Sequence, residues 1–156
     1  MDNEFEKLFY PRRKHPRLKE YDYATDNYYF VTICTHEKAC IFGGPEHLNS
    51  LGVIAYEAFH QIPIHTKNAW VDKWVVMPNH VHAILILQDC DTALPTIVGQ
   101  YKSFVSKEIH KIRPNIKVWQ TSFYENVIRN QKRYEEIWNY IEGNPLKWAE
   151  DRFYVN

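Results

Sequence analysis

His80 and His82 stand one residue apart in the stretch MPNHVHAILIL, residues 77–87, and that spacing can hold a metal ion. The proline turn at Met77-Pro78-Asn79 leads into alternating side chains, so the stretch is expected to be a strand reached from a loop. With a period of 2, His80, His82, Ile84 and Ile86 share one face, and Val81, Ala83, Leu85 and Leu87 share the other. Two imidazoles at i and i+2 on a strand point the same way, about 6–7 Å apart. Both can then bind one divalent ion while the apolar remainder of the strand anchors them. Taken alone, the pair also fits a half-buried strand whose first two residues are polar, near solvent and minor contributors to the core.

A second group of reactive side chains lies in NQKRYEEIWNYIEGNP, residues 130–145. Tyr134, Ile137, Trp138 and Ile141 fall at i, i+3, i+4 and i+7 and predict the core-facing stripe of a helix. Tyr134 is therefore expected to pack. Tyr140 lies roughly 100° or more from the centre of that stripe, at the edge of the interface, where its hydroxyl can reach a site. Asn144, four residues on, can present an amide oxygen nearby. A rim aromatic and a turn residue before proline are the plain alternatives for these two. Tyrosine has a chemical use as a nucleophile on phosphodiesters, because phenol, with a pKa of about 10, leaves more readily than an alkoxide when the step is reversed. Such an attack needs a cation on a non-bridging oxygen. Two histidines and an amide oxygen with open positions suit Mg2+ or Mn2+ better than a closed zinc site.

These residues need a scaffold. Residues 28–36, β-branched and aromatic, predict a strand. Residues 52–66 carry a helical apolar pattern that Pro63 is expected to close early. Residues 69–77 predict a second strand, paired antiparallel with the histidine strand because Met77-Pro78-Asn79 is too short for a crossover. Residues 94–112 predict a helix stopped at Arg113-Pro114, followed by a short extended piece at Val118-Trp119. Asn130 is expected to cap the last helix, from 131 to about 142, ended by Gly143 and Pro145. The order fits an α+β fold, an antiparallel sheet flanked by helices in a ferredoxin-like arrangement. A single domain is expected over 1–156, with an extended arm at about 1–25.

The 156 residues carry 19 basic and 19 acidic side chains, a neutral balance that argues against indiscriminate polyanion binding. The distribution is uneven. Residues 10–19 hold Arg12, Arg13, Lys14, Arg17 and Lys19 and no acid. Residues 97–133 hold eight basic residues, among them Lys102, Lys107 and Arg129, against Glu108 and Glu125. With Tyr101, Phe104, Trp119, Phe123 and Tyr124 between them, these charges suit a groove that tracks a nucleic-acid backbone and stacks bases, although solvated faces look similar. Cys34, Cys40 and Cys90 form no CxxC pair, and no apolar run is long enough to span a membrane. A cytoplasmic location is expected.

At this point the residues resemble a known family. His80-Val81-His82 matches the His-hydrophobic-His signature of HUH endonucleases. MPNHVH, WQTSFYENVIRN and YIEGNPLKW in that order, behind RRKHPRLKEYDYATDNYYFVTICTH, resemble the REP-associated tyrosine transposases over nearly the whole chain. The resemblance implies that His80, His82 and Asn144 bind Mg2+ or Mn2+ and that Tyr140 is the nucleophile. It implies cleavage and strand transfer on single-stranded or hairpin DNA through a 5′-phosphotyrosyl intermediate. Arg12, Arg13, Lys14, Lys102, Lys107 and Arg129 are the expected DNA contacts, and a homodimer is left open. A relative that grips hairpins without cutting is the alternative. A histidine-nucleophile nucleotide hydrolase is disfavoured, since Ile84 stands where its third histidine belongs.

Overall fold

The strands β1 (Asn27–Cys34), β2 (Ala69–Met77), β3 (His80–Leu87) and β4 (Tyr124–Ile128) form one antiparallel sheet in the order β2-β3-β1-β4. The computed structural model describes residues 27–155, so the expected arm with Arg12, Arg13 and Lys14 lies outside the described residues. Helices α1 (Ser50–Ala58) and α2 (Ile62–His65) connect β1 to β2, α3 (Leu94–His110) connects β3 to β4, and α4 (Gln131–Gly143) follows β4. This is the ferredoxin-like order and the expected α+β class.

The strand β1 is buried at every residue from Tyr29 to Cys34, because both faces of the sheet are covered. One face carries Tyr29, Val31, Ile33, Val81, Ala83, Leu85 and Leu87 against Leu51, Ala55, Leu94, Ile97, Tyr101, Val105 and Ile109 of α1 and α3. The other carries Phe30, Cys34 and Ile84 against Ile128, Ile137, Ile141 and Phe153. The alternation read along β3 therefore sorts its side chains between two cores, and the histidines share a face with Ile84.

Local signals act where expected, with three exceptions. Asn49 caps α1 by accepting from Gly52 N–H at 2.9 Å, and Asn130 caps α4 by accepting from Arg133 N–H at 2.9 Å. Gly52 is required there, since a Cβ would sit 2.3 Å from the Phe42 carbonyl oxygen. Pro63 does not close the first helix. The chain tightens into a 3-10 turn at Phe59–Gln61, and Pro63 then sits in the first turn of α2, where its missing N–H costs nothing. The strand β4 was not anticipated. Its five residues include Glu125 and Asn126, poor strand formers, and it exists through pairing with β1 from Tyr28↔Ile128 to Thr32↔Tyr124. The extended piece expected at Val118-Trp119 contributes only a single bridge, Thr35↔Trp119.

Three contacts fix how α4 crosses the sheet. A register shift between Val71 and Lys73 interrupts the ladder at Asp72, which accepts a hydrogen bond from the Tyr134 hydroxyl. Next to it, Lys73 reaches Glu142 and lies over the Trp138 ring at 4.1 Å from its centroid. Each is worth on the order of 1 kcal/mol at a half-exposed position. With Ile137 and Ile141 buried beneath, they set the helix in one rotation.

Candidate active site

His80 and His82 are fully buried, which corrects the expectation of polar residues near solvent that contribute little to the core. The strands supply their partners. Register places Thr32 opposite His82, and the Thr32 hydroxyl lies 2.7 Å from Nδ1 of His82. Asn79, in the hairpin turn, lies 2.8 Å from Nδ1 of His80 through its Oδ1. The Asn79 amide nitrogen donates to the carbonyls of Phe153 (2.7 Å) and Lys38 (3.2 Å), so the oxygen is the atom left for the imidazole. An amide oxygen only accepts, hence Nδ1 of His80 carries the proton and Nε2 keeps its lone pair. The two rings are 4.6 Å apart between centroids.

Burial holds both imidazoles neutral. It lowers the His80 pKa to about 4, against the opposing pull of the Asp151 carboxylate and the Asn144 amide. His82 is pushed well below 6.5, first by burial and then by His80 beside it. Neutral imidazole is the ligating form.

Tyr140 projects from α4 onto this face. Its ring stands 5.4 Å from that of His82 and 6.2 Å from that of Phe30, edge-on to the latter, while Phe30 stacks on His82 at 5.3 Å. Tyr134 lies six residues earlier, about 9 Å along the helix axis. Its ring is half-buried and edge-on to Tyr28, and its hydroxyl is bound to Asp72. That hydrogen bond, with partial burial, raises its pKa to about 12. Both tyrosines are partly buried against the same core cluster, and of the two it is Tyr140 whose ring stands beside His82.

Asn144 is buried and keeps αR geometry (φ −60°, ψ −44°) although Pro145 follows it. Its amide nitrogen donates to Oδ2 of Asp151 at 2.8 Å. Nε2 of His80 and Oδ1 of Asn144 are buried without a hydrogen-bond partner among the described residues. Asp151 was not anticipated. It follows the 3-10 turn Pro145–Glu150, and one ligand atom each from His80, His82 and Asp151 lie within 4.8 Å of one another. Nitrogen and oxygen donors around two orphaned buried acceptors fit a small divalent cation. No spacing signal marks Asp151, since it reaches the histidines only through the fold. Thr32 and Asn79 likewise gain their roles from register and turn geometry.

The expected DNA contacts separate. Lys102 is half-buried, with its ammonium on the carbonyls of Gln120 (2.6 Å) and Thr121 (3.3 Å). Lys107 is exposed in the same groove, which Ser106, His110, Lys117 and Trp119 also line. This groove belongs to α3, across the sheet from the histidines. Arg129 lies elsewhere, in a hollow with Tyr28, Asn130 and Tyr134.

The ferredoxin-like sheet therefore presents two strand histidines and a helix tyrosine on one face. The chain belongs to the IS200-like transposase family, whose model (Transposase IS200 like) matches residues 23–144. It is 34% identical over 169 residues to an uncharacterized protein of Haemophilus influenzae, covering 92% of this chain and 94% of that one. It is 32% identical over 77 residues to the REP-associated tyrosine transposase of Escherichia coli, covering 49% and 44% of the two chains. Its fold matches the structure of a REP-associated tyrosine transposase bound to a REP hairpin with a TM-score of 0.64 at 22% identity, over 84% of this chain and 73% of that one. A candidate transposase of Deinococcus radiodurans matches with a TM-score of 0.56 at 17% identity, over 81% and 97%. Among the described residues no helix is long and apolar enough to cross a membrane.

Proposed function

We propose that this transposase-family chain is a metal-dependent endonuclease and strand transferase acting on single-stranded or hairpin DNA. The observation that carries the reading is the approach of Tyr140 to His82, ring centroids 5.4 Å apart, on the face that also presents His80 and Asn144. Tyr140 attacks the phosphorus. Its O–P bond forms as the bond to the 3′ oxygen breaks, and the phenol's proton ends on the departing 3′-OH. A 5′-phosphotyrosine results, and a second 3′-OH reverses the step, so bond energy is conserved and no nucleotide cofactor is needed. His80, His82 and Asn144 would hold Mg2+ or Mn2+, which would supply Lewis-acid stabilisation of charge on the phosphate oxygens. The chain's own part is to keep both imidazoles neutral, oriented through Asn79 and Thr32, and to hold the phenol beside them.

The substrate class follows from the family resemblance: a short imperfect hairpin with a flanking tetranucleotide, as in repetitive extragenic palindromes. The α3 groove with Lys107, Lys117 and Trp119 suits a backbone with a stacked base. Tyr140 stands beside His82 of its own chain, which supports a site completed within one chain.

One observation favours a second reading, a hairpin-binding relative that does not cut. Asp151 and Phe153 pack over the histidines, with Phe153 4.7 Å from the His80 ring, and a phosphodiester reaches them only where these residues give way. Labelled single-stranded hairpins from the flanks of the chain's own gene, incubated with and without Mn2+, separate the two. Cleavage with a denaturant-stable protein–DNA adduct supports the enzyme; tight binding with neither supports the binding module.

A further inference from the structure

We propose that Asp151 is a carboxylate ligand of the divalent cation, beside His80, His82 and the amide oxygen of Asn144. This rests on the reading of His80 and His82 as the cation's ligands and adds a charged donor from a part of the chain that reading does not use. The matched family segment ends at residue 144, so Asp151 lies beyond it.

The hydrogen-bond accounting around His80 points to a cation. Because Oδ1 of Asn79 can only accept, the proton is on Nδ1 and the lone pair of Nε2 faces Asp151. Nε2 and Oδ2 of Asp151 are 3.6 Å apart with both side chains fully buried. Two buried acceptors turned toward each other repel unless a positive charge lies between them. Their separation also suits one ion: bonds of about 2.0–2.2 Å at angles of about 90–110° put two ligand atoms roughly 3–3.5 Å apart.

Asn144 supplies the second argument. Its Nδ2 donates to Oδ2 of Asp151 at 2.8 Å, while its Oδ1 is buried with no hydrogen bond among the described residues. One amide thus orients the carboxylate and leaves its own oxygen beside the same space. Oδ1 of Asp151 accepts from the Phe153 N–H at 2.8 Å. Two neutral donors offset only part of the cost of burying a carboxylate, and a divalent cation offsets the rest.

Asp151 could instead act only as a turn residue through that Phe153 contact, and two variants compared with wild type separate the two roles. A ligand ranks the side chains by charge, Asp above Glu above Asn. A turn residue ranks them by reach, Asp equal to Asn and both above Glu. The experiment uses the full chain stripped of metal, without DNA, titrated with Mn2+ alone and followed by electron paramagnetic resonance of free Mn2+ and by the rise in thermal midpoint. Asp151→Asn is expected to keep its metal-free midpoint near wild type and to lose about tenfold or more in Mn2+ affinity. Asp151→Glu is expected to fall between them. Wild-type affinity in Asp151→Asn, or tighter Mn2+ binding by Asn than by Glu, overturns the proposal and leaves the histidine site in place. A wild-type chain that binds no Mn2+ overturns both.

Discussion

Asn79 fixes the tautomer of His80: its Oδ1 receives Nδ1–H at 2.8 Å while its amide nitrogen is committed to the Phe153 and Lys38 carbonyls. One turn residue thereby joins the histidine strand, the loop after β1 and the C-terminal segment.

Asn79→Ala should act on stability and on metal binding together. It leaves buried groups unpaired, a cost of about 1–3 kcal/mol, and frees the His80 ring, which should weaken Mn2+ binding roughly 10–100-fold. Denaturant unfolding and Mn2+ titration of the same preparation measure both. A variant with weakened stability and unchanged Mn2+ affinity would break the link between tautomer and site.

The two tyrosines of α4 should separate cleanly. Tyr140→Phe is expected to fold, to bind the hairpin and to lose all cleavage. Tyr134→Phe loses one exposed hydrogen bond to Asp72, worth about 1 kcal/mol or less, and should stay active. In the wild-type protein the DNA adduct should map by mass spectrometry to the peptide containing Tyr140. An adduct on Tyr134, whose phenol is raised to about 12, would refute the assignment.

Acid should destabilise the metal-free protein through the histidines. Burial lowers the His80 pKa from its ordinary 6.5 to about 4, so between these values the unfolded chain binds the proton. Its contribution is therefore complete above pH 6.5 and lost as pH falls toward 4, a span worth roughly 3 kcal/mol at 1.4 kcal/mol per unit. His82 acts in the same direction. Urea midpoints measured in chelator from pH 7 to pH 4.5 should fall steadily; a flat series would contradict burial of neutral imidazoles.

Hairpin binding should weaken as salt rises, through counterion release. Lys107→Ala and Lys117→Ala should each lower the slope of log affinity against log salt by up to about 0.7–0.9, with little effect on folding. Lys102→Ala is different, since its ammonium holds the Gln120 and Thr121 carbonyls and its loss should lower the thermal midpoint. Unchanged salt slopes in both exposed-lysine variants would remove the α3 groove from the interface.

What could be read from the chain alone was local. The alternation in residues 80–87 assigns His80 and His82 to one face because strand geometry has period 2. The short turn at Pro78-Asn79 forces β2 and β3 antiparallel, and the Asn130 cap with the apolar stripe of α4 separates Tyr134 from Tyr140. Each of these follows from dihedral preferences within a few residues. The tertiary structure decided what depends on contacts between distant segments: Thr32 opposite His82 across 50 residues, β4 completing the sheet on β1, and Asp151 arriving beside His80. It also decided that the histidines are buried, because α4 and the C-terminal segment cover a face that the strand pattern alone leaves open. Register and packing between segments are set by the summed burial of both cores, and no local preference encodes them.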